Sequence, residues 1–148
     1  MEGNCGVLAL KAKKWVCYNL SHNKSGWAGS QMKYHRMKYR LCMQHSFDGS
    51  VEHKHHHMIE IEIVARQTAG DFLEFASMDT VLEEVFGPYQ HQYLNEFPEF
   101  GGDTSMEHLG EVFYRKVKAS LEEQHWKFAR FEISETPLRV YAVSEEIF

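Results

Sequence analysis

The sequence predicts an α+β two-layer domain, with a four-stranded antiparallel sheet and two helices on one of its faces, in the order β-β-α-α-β-β. Two apolar stripes at helical spacing and two pairs of alternating segments, each pair joined by turn residues, carry that prediction. With 148 residues, 43% of them apolar and 14% aromatic, the chain has material for one core and is too short for two.

Residues 1–36 show no sustained period. Ser21, Asn23, Ser25, Gly26, Gly29 and Ser30 are scattered through them, so they read as an N-terminal extension that holds at most one strand near Lys14–Leu20. Strand-compatible residues run from Lys38 to His45, and Phe47-Asp48-Gly49-Ser50 supplies turn chemistry. In the next strand His53, His55, His57, Ile59, Ile61 and Ile63 fall on one face, with Lys54, His56, Glu60 and Glu62 on the other. The two strands form a hairpin. Ser77 is the expected N-cap of a first helix whose Met78, Val81, Leu82 and Val85 repeat at helical spacing until Gly87-Pro88. Ser105 caps a second, with Met106, Leu109, Phe113, Val117 and Leu121 as its apolar stripe, ending near Gln124. A last hairpin joins Trp126–Ser134 to Leu138–Val143 through Glu135-Thr136-Pro137.

The 16 basic and 21 acidic residues give a formal charge of -5, which argues against a nucleic-acid footprint and for small molecules or proteins as partners. Three cysteines without a C-x-x-C support neither a disulfide framework nor a thiolate zinc knuckle, and a reducing cytoplasm is the expected setting. No stretch approaches 18 consecutive apolar residues, so no membrane segment is expected.

Ten histidines are the compositional oddity. Residues two apart in a strand point the same way, so His53 and His55 can present imidazoles to one point, and His45, ending the neighbouring strand, is within reach as a third ligand. Such a site keeps one position open for a substrate. His57 continues on the same face and can substitute for either neighbour, whereas His56 points away. A histidine run beside Lys54 is also what a solvated, adventitious metal patch looks like. His91 places a titratable imidazole in the polar loop Tyr89–Asn95, where an acid or base can sit. Glu135, at a strand end, can accept two N–H donors from a guanidine-like ring edge or be an ordinary turn carboxylate. Glu107 needs no role beyond the helix dipole.

In order, His53-Lys54-His55, Leu73-Glu74-Phe75, His91-Gln92-Tyr93-Leu94-Asn95, Ser105-Met106-Glu107-His108-Leu109 and Glu135-Thr136-Pro137 resemble the motifs H-G-H-N-[YF], [MV]-D-F, L-D-H-x-x-L-N, P-T-x-E-N and E-T-P of the 6-pyruvoyl-/6-carboxytetrahydropterin synthase family. The resemblance covers about residues 38–145, within a pterin synthase-like domain drawn at 37–148. It implies a tunnelling fold whose subunits associate into barrels, as tetramers or hexamers, with active sites between subunits. It implies Zn2+ held by His53, His55 and either His45 or His22, with His45 preferred. It also implies His91 as acid/base and Glu135, Thr136 and Ser105 as pterin-binding residues.

The activity so implied is a lyase-type conversion of a dihydroneopterin triphosphate-like substrate to a 6-substituted tetrahydropterin, either the 6-pyruvoyl compound or the 6-carboxy compound of queuosine biosynthesis. Two departures stand against the pattern. Gly49 occupies the place of the family's catalytic cysteine, four residues before the first motif histidine, and Gln90 that of its aspartate. They keep open a second reading, a catalytically silent pterin- or metal-binding homologue.

Overall fold

The computed structural model describes the backbone of residues 16–18 and, in full, residues 32–68 and 75–145. His22, Leu73 and Glu74 lie outside the described residues. Strands β1 (Val16–Tyr18), β2 (Tyr34–His45), β3 (His55–Gln67), β4 (Trp126–Thr136) and β5 (Arg139–Ser144) form one antiparallel sheet in the order β1-β2-β3-β4-β5. Helices α1 (Phe75–Phe86) and α2 (Met106–Glu123) fall between β3 and β4 in the chain. The two hairpins and two helices come in the predicted order. β1, inside the Lys14–Leu20 stretch, adds a fifth strand by pairing with Tyr34–Arg36.

The hairpin of β2 and β3 shows how the sequence chooses its faces. Met37, Tyr39, Leu41 and Met43 of β2 and Ile59, Ile61 and Ile63 of β3 are buried against the helices. The intervening residues face away from them and pair across strands: Arg36 and Lys38 reach Glu62 at 2.9 and 3.1 Å, and Arg40 reaches Glu60 at 3.0 Å. β2 begins at Tyr34, earlier than the expected Lys38, because β3 runs on to Gln67 and offers partners such as Ala65 opposite His35. In β4 the register slips between Val64 and Ala65, leaving Ala129 as the extra residue; this bulge returns both Phe128 and Phe131 to the buried face despite their odd spacing.

α1 starts at Phe75, so Ser77 sits inside its first turn instead of capping it. Ser105 does cap α2, its Oγ accepting the His108 N–H at 3.3 Å, and Leu109, Phe113, Val117 and Leu121 are buried as the stripe requires. The last hairpin turns at Pro137-Leu138, so Glu135 belongs to β4 and not to the turn: pairing resumes at Thr136–Arg139 after a slip that follows Ser134.

The connection between the helices makes short 3-10 turns at Gly87–Tyr89, Leu94–Glu96 and Pro98–Phe100. Its anchors are aromatic, with Tyr89 and Phe100 packed edge-to-face against Phe113 of α2 at centroid distances of 5.2 and 5.6 Å. Between these anchors it runs along the edge of β2, where His91 N–H donates to Cys42 O at 2.6 Å and Gln44 N–H to Gln92 O at 2.8 Å. That contact fixes the end of β2, from which the site is built.

Candidate metal centre

The connection from β2 to β3 decides which histidines meet. Gly49, at φ +74, makes the turn after His45, and Ser50 then caps a 3-10 turn, Val51–His53, by accepting the His53 N–H at 3.3 Å. Strand geometry begins only at His55, so the alternation expected from His53 onward starts one position pair later. His53 is displaced from the ligand face. Its imidazole, 71% exposed, is hydrogen-bonded through Nδ1 to Asp48 instead. That carboxyl is pulled down to about 2 by the Ser50 N–H and then by the His53 ring.

Three imidazoles do converge: His45, His55 and His57 each offer a ring nitrogen within 4.8 Å of the other two. His45 pairs with His55 across the hairpin, and His57 follows on the same face. Ring centroids are 4.6 Å apart for His45 and His55, 4.9 Å for His45 and His57, and 4.8 Å for His55 and His57. A tetrahedral zinc ion, at about 2.0–2.1 Å from each nitrogen, asks for separations of ~3.4 Å, which modest side-chain rotations reach.

The tautomers suit a metal. A carbonyl only accepts, so His45 Nδ1, 3.1 Å from Thr104 O, carries the proton, and His55 Nδ1, 2.9 Å from His53 O, does likewise. Both Nε2 atoms are thereby left as lone pairs. His45 is 0% exposed and its Nε2 has no hydrogen-bond partner. Burial first, and then the neighbouring His57 and His55, hold its imidazole below the usual histidine range, in the neutral form that binds metal. The chemistry of the donor set fits zinc.

Residues that sequence reasoning did not single out hold this geometry. Asn95 binds the backbone of buried Ser46 on both sides: Ser46 N–H donates to Oδ1 at 2.9 Å, and Nδ2 donates to Ser46 O at 2.8 Å. Thr104 adds its hydroxyl to the same carbonyl at 3.3 Å. The Tyr93 and Ser46 hydroxyls meet at 2.7 Å, and Phe47, 75% exposed, lies with its ring 5.0 Å from His45. Polar residues on a loop next to an aromatic cluster were the available signal.

The remaining expected residues stand around the triad at different distances. Glu135 Oε1 lies 3.7 Å from His45 Nε2 and 3.9 Å from His57 Nε2. Ser105 adjoins Thr104 but spends its hydroxyl on the α2 cap, and Thr136 is exposed at the end of β4. His91 is not brought to the triad of its own chain. It sits exposed at φ +61 along the edge of β2 opposite β3. Gln90 does not touch its ring; it clamps the edge of β2, accepting from Cys42 N–H at 2.9 Å and donating to Arg40 O at 2.9 Å.

The family profile described as 6-pyruvoyl tetrahydropterin synthase matches residues 32–146. The chain belongs to that family. No curated protein matches it by sequence. Among solved structures, a 6-pyruvoyl tetrahydropterin synthase from Caenorhabditis elegans is similar at 16% identity and a TM-score of 0.59, covering 78% of this chain and 98% of its own. An uncharacterized protein from Wolinella succinogenes is similar at 12% identity and the same TM-score, over 79% of this chain and 100% of its own. A Plasmodium vivax 6-pyruvoyltetrahydropterin synthase, in which a catalytic glutamate has been replaced by cysteine, is similar at 13% identity and a TM-score of 0.52, over 78% of this chain and 99% of its own. At these identities the likenesses show the fold. With His55 and His57 as the H-x-H pair, the position four residues earlier is Val51, so neither register of the motif supplies a cysteine. Cys42 is an odd number of positions from His45 and so faces the other side of β2.

Proposed function

We propose that this member of the 6-pyruvoyl tetrahydropterin synthase family is a zinc-dependent lyase acting on a dihydroneopterin triphosphate-like pterin, giving a 6-substituted tetrahydropterin. The observation that carries the reading is the convergence of His45, His55 and His57 with the Nε2 atoms of two of them left as lone pairs by backbone acceptors. Bound there, zinc would supply Lewis-acid polarisation of a side-chain oxygen of the substrate.

This chain's residues take the other roles. Glu135, beside the triad, accepts the N–H donors of the amino-pyrimidine edge, with Ser105 and Thr136 flanking it. His91, remote from its own triad, serves as acid and base in the site of a neighbouring copy, which makes the homo-oligomer the active form. In place of the missing thiol we assign Glu52, exposed in the turn that leads into His55, to proton transfer; the catalytic glutamate of the Plasmodium vivax relative supports a carboxylate in such a role. Among the described residues no helix is long and apolar enough to cross a membrane.

The absent cysteine, at both Gly49 and Val51, favours one rival: a homologue that binds pterin and metal without turnover. Incubating the zinc-loaded protein with dihydroneopterin triphosphate and following products by chromatography separates the two. A 6-carboxy or 6-pyruvoyl product, abolished in Glu52→Gln with zinc content intact, is the expected result. Tight pterin binding with no product refutes the enzyme, and absence of pterin binding refutes both readings.

A further inference from the structure

The Nε2 lone pairs of His45 and His55, whose Nδ1 protons go to carbonyls, and a carboxylate oxygen of Glu135 meet at the triad. His45 Nε2 is a buried lone pair without a partner, because its Nδ1 proton goes to Thr104 O. The group 3.7 Å in front of it is a carboxylate oxygen of Glu135, which is also 3.9 Å from His57 Nε2. A lone pair held that close to an anionic oxygen is unfavourable unless a cation stands between them. The chain directs Glu135 there by strand parity: it continues the buried face of Phe131 and Ile133, one residue beyond the last paired position of β3 and β4, on the face shared by His57 and Ile59. The register slip after Ser134 leaves it without a register partner in β5 as well.

We propose that Glu135 is the fourth protein ligand of the metal, closing the position that three histidines leave open until a bound pterin displaces it. The proposal rests on the metal site of the preceding section and adds to Glu135 a role separate from pterin recognition. Its distances to His45 and His57 are within about 0.5 Å of the ~3.4 Å edge of a tetrahedral zinc site. A metal capped in this way is coordinatively saturated at rest, and pterin entry both frees the carboxylate and opens the metal.

The test titrates the full-length metal-free protein with Co2+, following the visible ligand-field bands, in wild type, Glu135→Gln, Glu135→Asp and His57→Ala, with neopterin as the pterin probe. The wild type should show intense four-coordinate bands that weaken when neopterin is added. Glu135→Gln should bind Co2+ about 10-fold or more weakly, with weak bands from the outset, while Glu135→Asp retains part of both properties. Metal-free melting temperatures confirm that each variant folds. Wild-type Co2+ affinity and bands in Glu135→Gln, together with lost neopterin binding, overturn the proposal, leave the three-histidine site standing and assign the carboxylate to pterin alone. A wild type that takes up no Co2+ overturns the metal reading itself, and this proposal with it.

Discussion

Replacing Asn95 with alanine tests the support of the triad with a magnitude the structure supplies. Two hydrogen bonds to Ser46 are lost, at 2.9 and 2.8 Å, and Ser46 is 0% exposed. Each is worth ~1 kcal/mol net, and the two ends of the pair then differ. The Ser46 carbonyl keeps the Thr104 hydroxyl at 3.3 Å, whereas the N–H keeps no partner and adds a desolvation penalty. The sum is about 2–3 kcal/mol, or about 4–12 °C in melting temperature for a chain of this size. Thr104→Val alone should cost ~1 kcal/mol, since Asn95 still serves the carbonyl. The double variant strips that carbonyl of both donors and should exceed the sum of the singles by about 1 kcal/mol. Urea denaturation of the metal-free protein measures all four corners of the cycle. Strict additivity, or an Asn95→Ala cost below about 0.5 kcal/mol, would refute the clamp. Metal affinity should fall with it, by roughly 10–100-fold, because His45 takes its orientation from the same loop through Thr104 O.

Metal content after dialysis should fall sharply in His45→Ala, His55→Ala and His57→Ala and stay at the wild-type level in His53→Ala; loss in His53→Ala with retention in His57→Ala would restore the register expected from sequence alone. The stability of the metal-free protein should decline as pH falls below the ordinary histidine pKa of 6.5, because burial lowers the pKa of His35, so the unfolded chain takes up the proton first. Urea titrations at about pH 7 and about pH 5 should show that decline and a smaller one in His35→Phe; equal declines would remove His35 as a source. Gly110→Ala sets a helix gain of ~1 kcal/mol against overpacking of ~1–3 kcal/mol, since the new Cβ would lie 2.5 Å from Tyr141 Cδ1, and Tyr141 is tethered to Glu111 at 2.6 Å. It should destabilise the protein by about 1 kcal/mol, and in a Tyr141→Ala background the cost should shrink, since only Ile133 Cγ2, at 3.1 Å, then crowds the new methyl, as urea titrations of the two pairs would show.

Most of the fold is written in periods that survive local irregularity. Ile59, Ile61 and Ile63 are all buried and Leu109, Phe113, Val117 and Leu121 are all buried, so strand and helix declare themselves whatever happens at their ends. The ends are where reading failed, for identifiable reasons. Ser77 has the chemistry of a cap, but α1 already includes Phe75, before it. Glu135-Thr136-Pro137 has the composition of a turn, but the slip in pairing lets β4 absorb two of the three residues. β1, three residues long, falls inside the Lys14–Leu20 stretch where one strand is expected, but its partner on β2 is not legible from so short a segment.

The cluster was legible in the sequence, and the structure brings together His45, His55 and His57 where alternation pointed to His45, His53 and His55. A period of two cannot say where a strand begins, so His53 and His55 are the expected pair and His57 only a substitute on the same face. What distinguishes them lies upstream, in the residues that consume the chain before the strand opens. Gly49 supplies the positive φ, Asp48 accepts the Ser50 N–H at 3.0 Å, and Ser50 in turn caps the turn that ends at His53. Those bonds hold Val51–His53 in a 3-10 turn, so the strand opens only at His55. The consequence is electrostatic as well as geometric. His53 is left facing the Asp48 carboxylate in solvent, while His57 takes its place beside a buried His45 and Glu135, where uncompensated charge and unpaired lone pairs are costly without a bound cation. The same loop that shifts the register therefore sets the converging imidazoles around buried His45, whose surroundings Asn95 and Thr104 already fix.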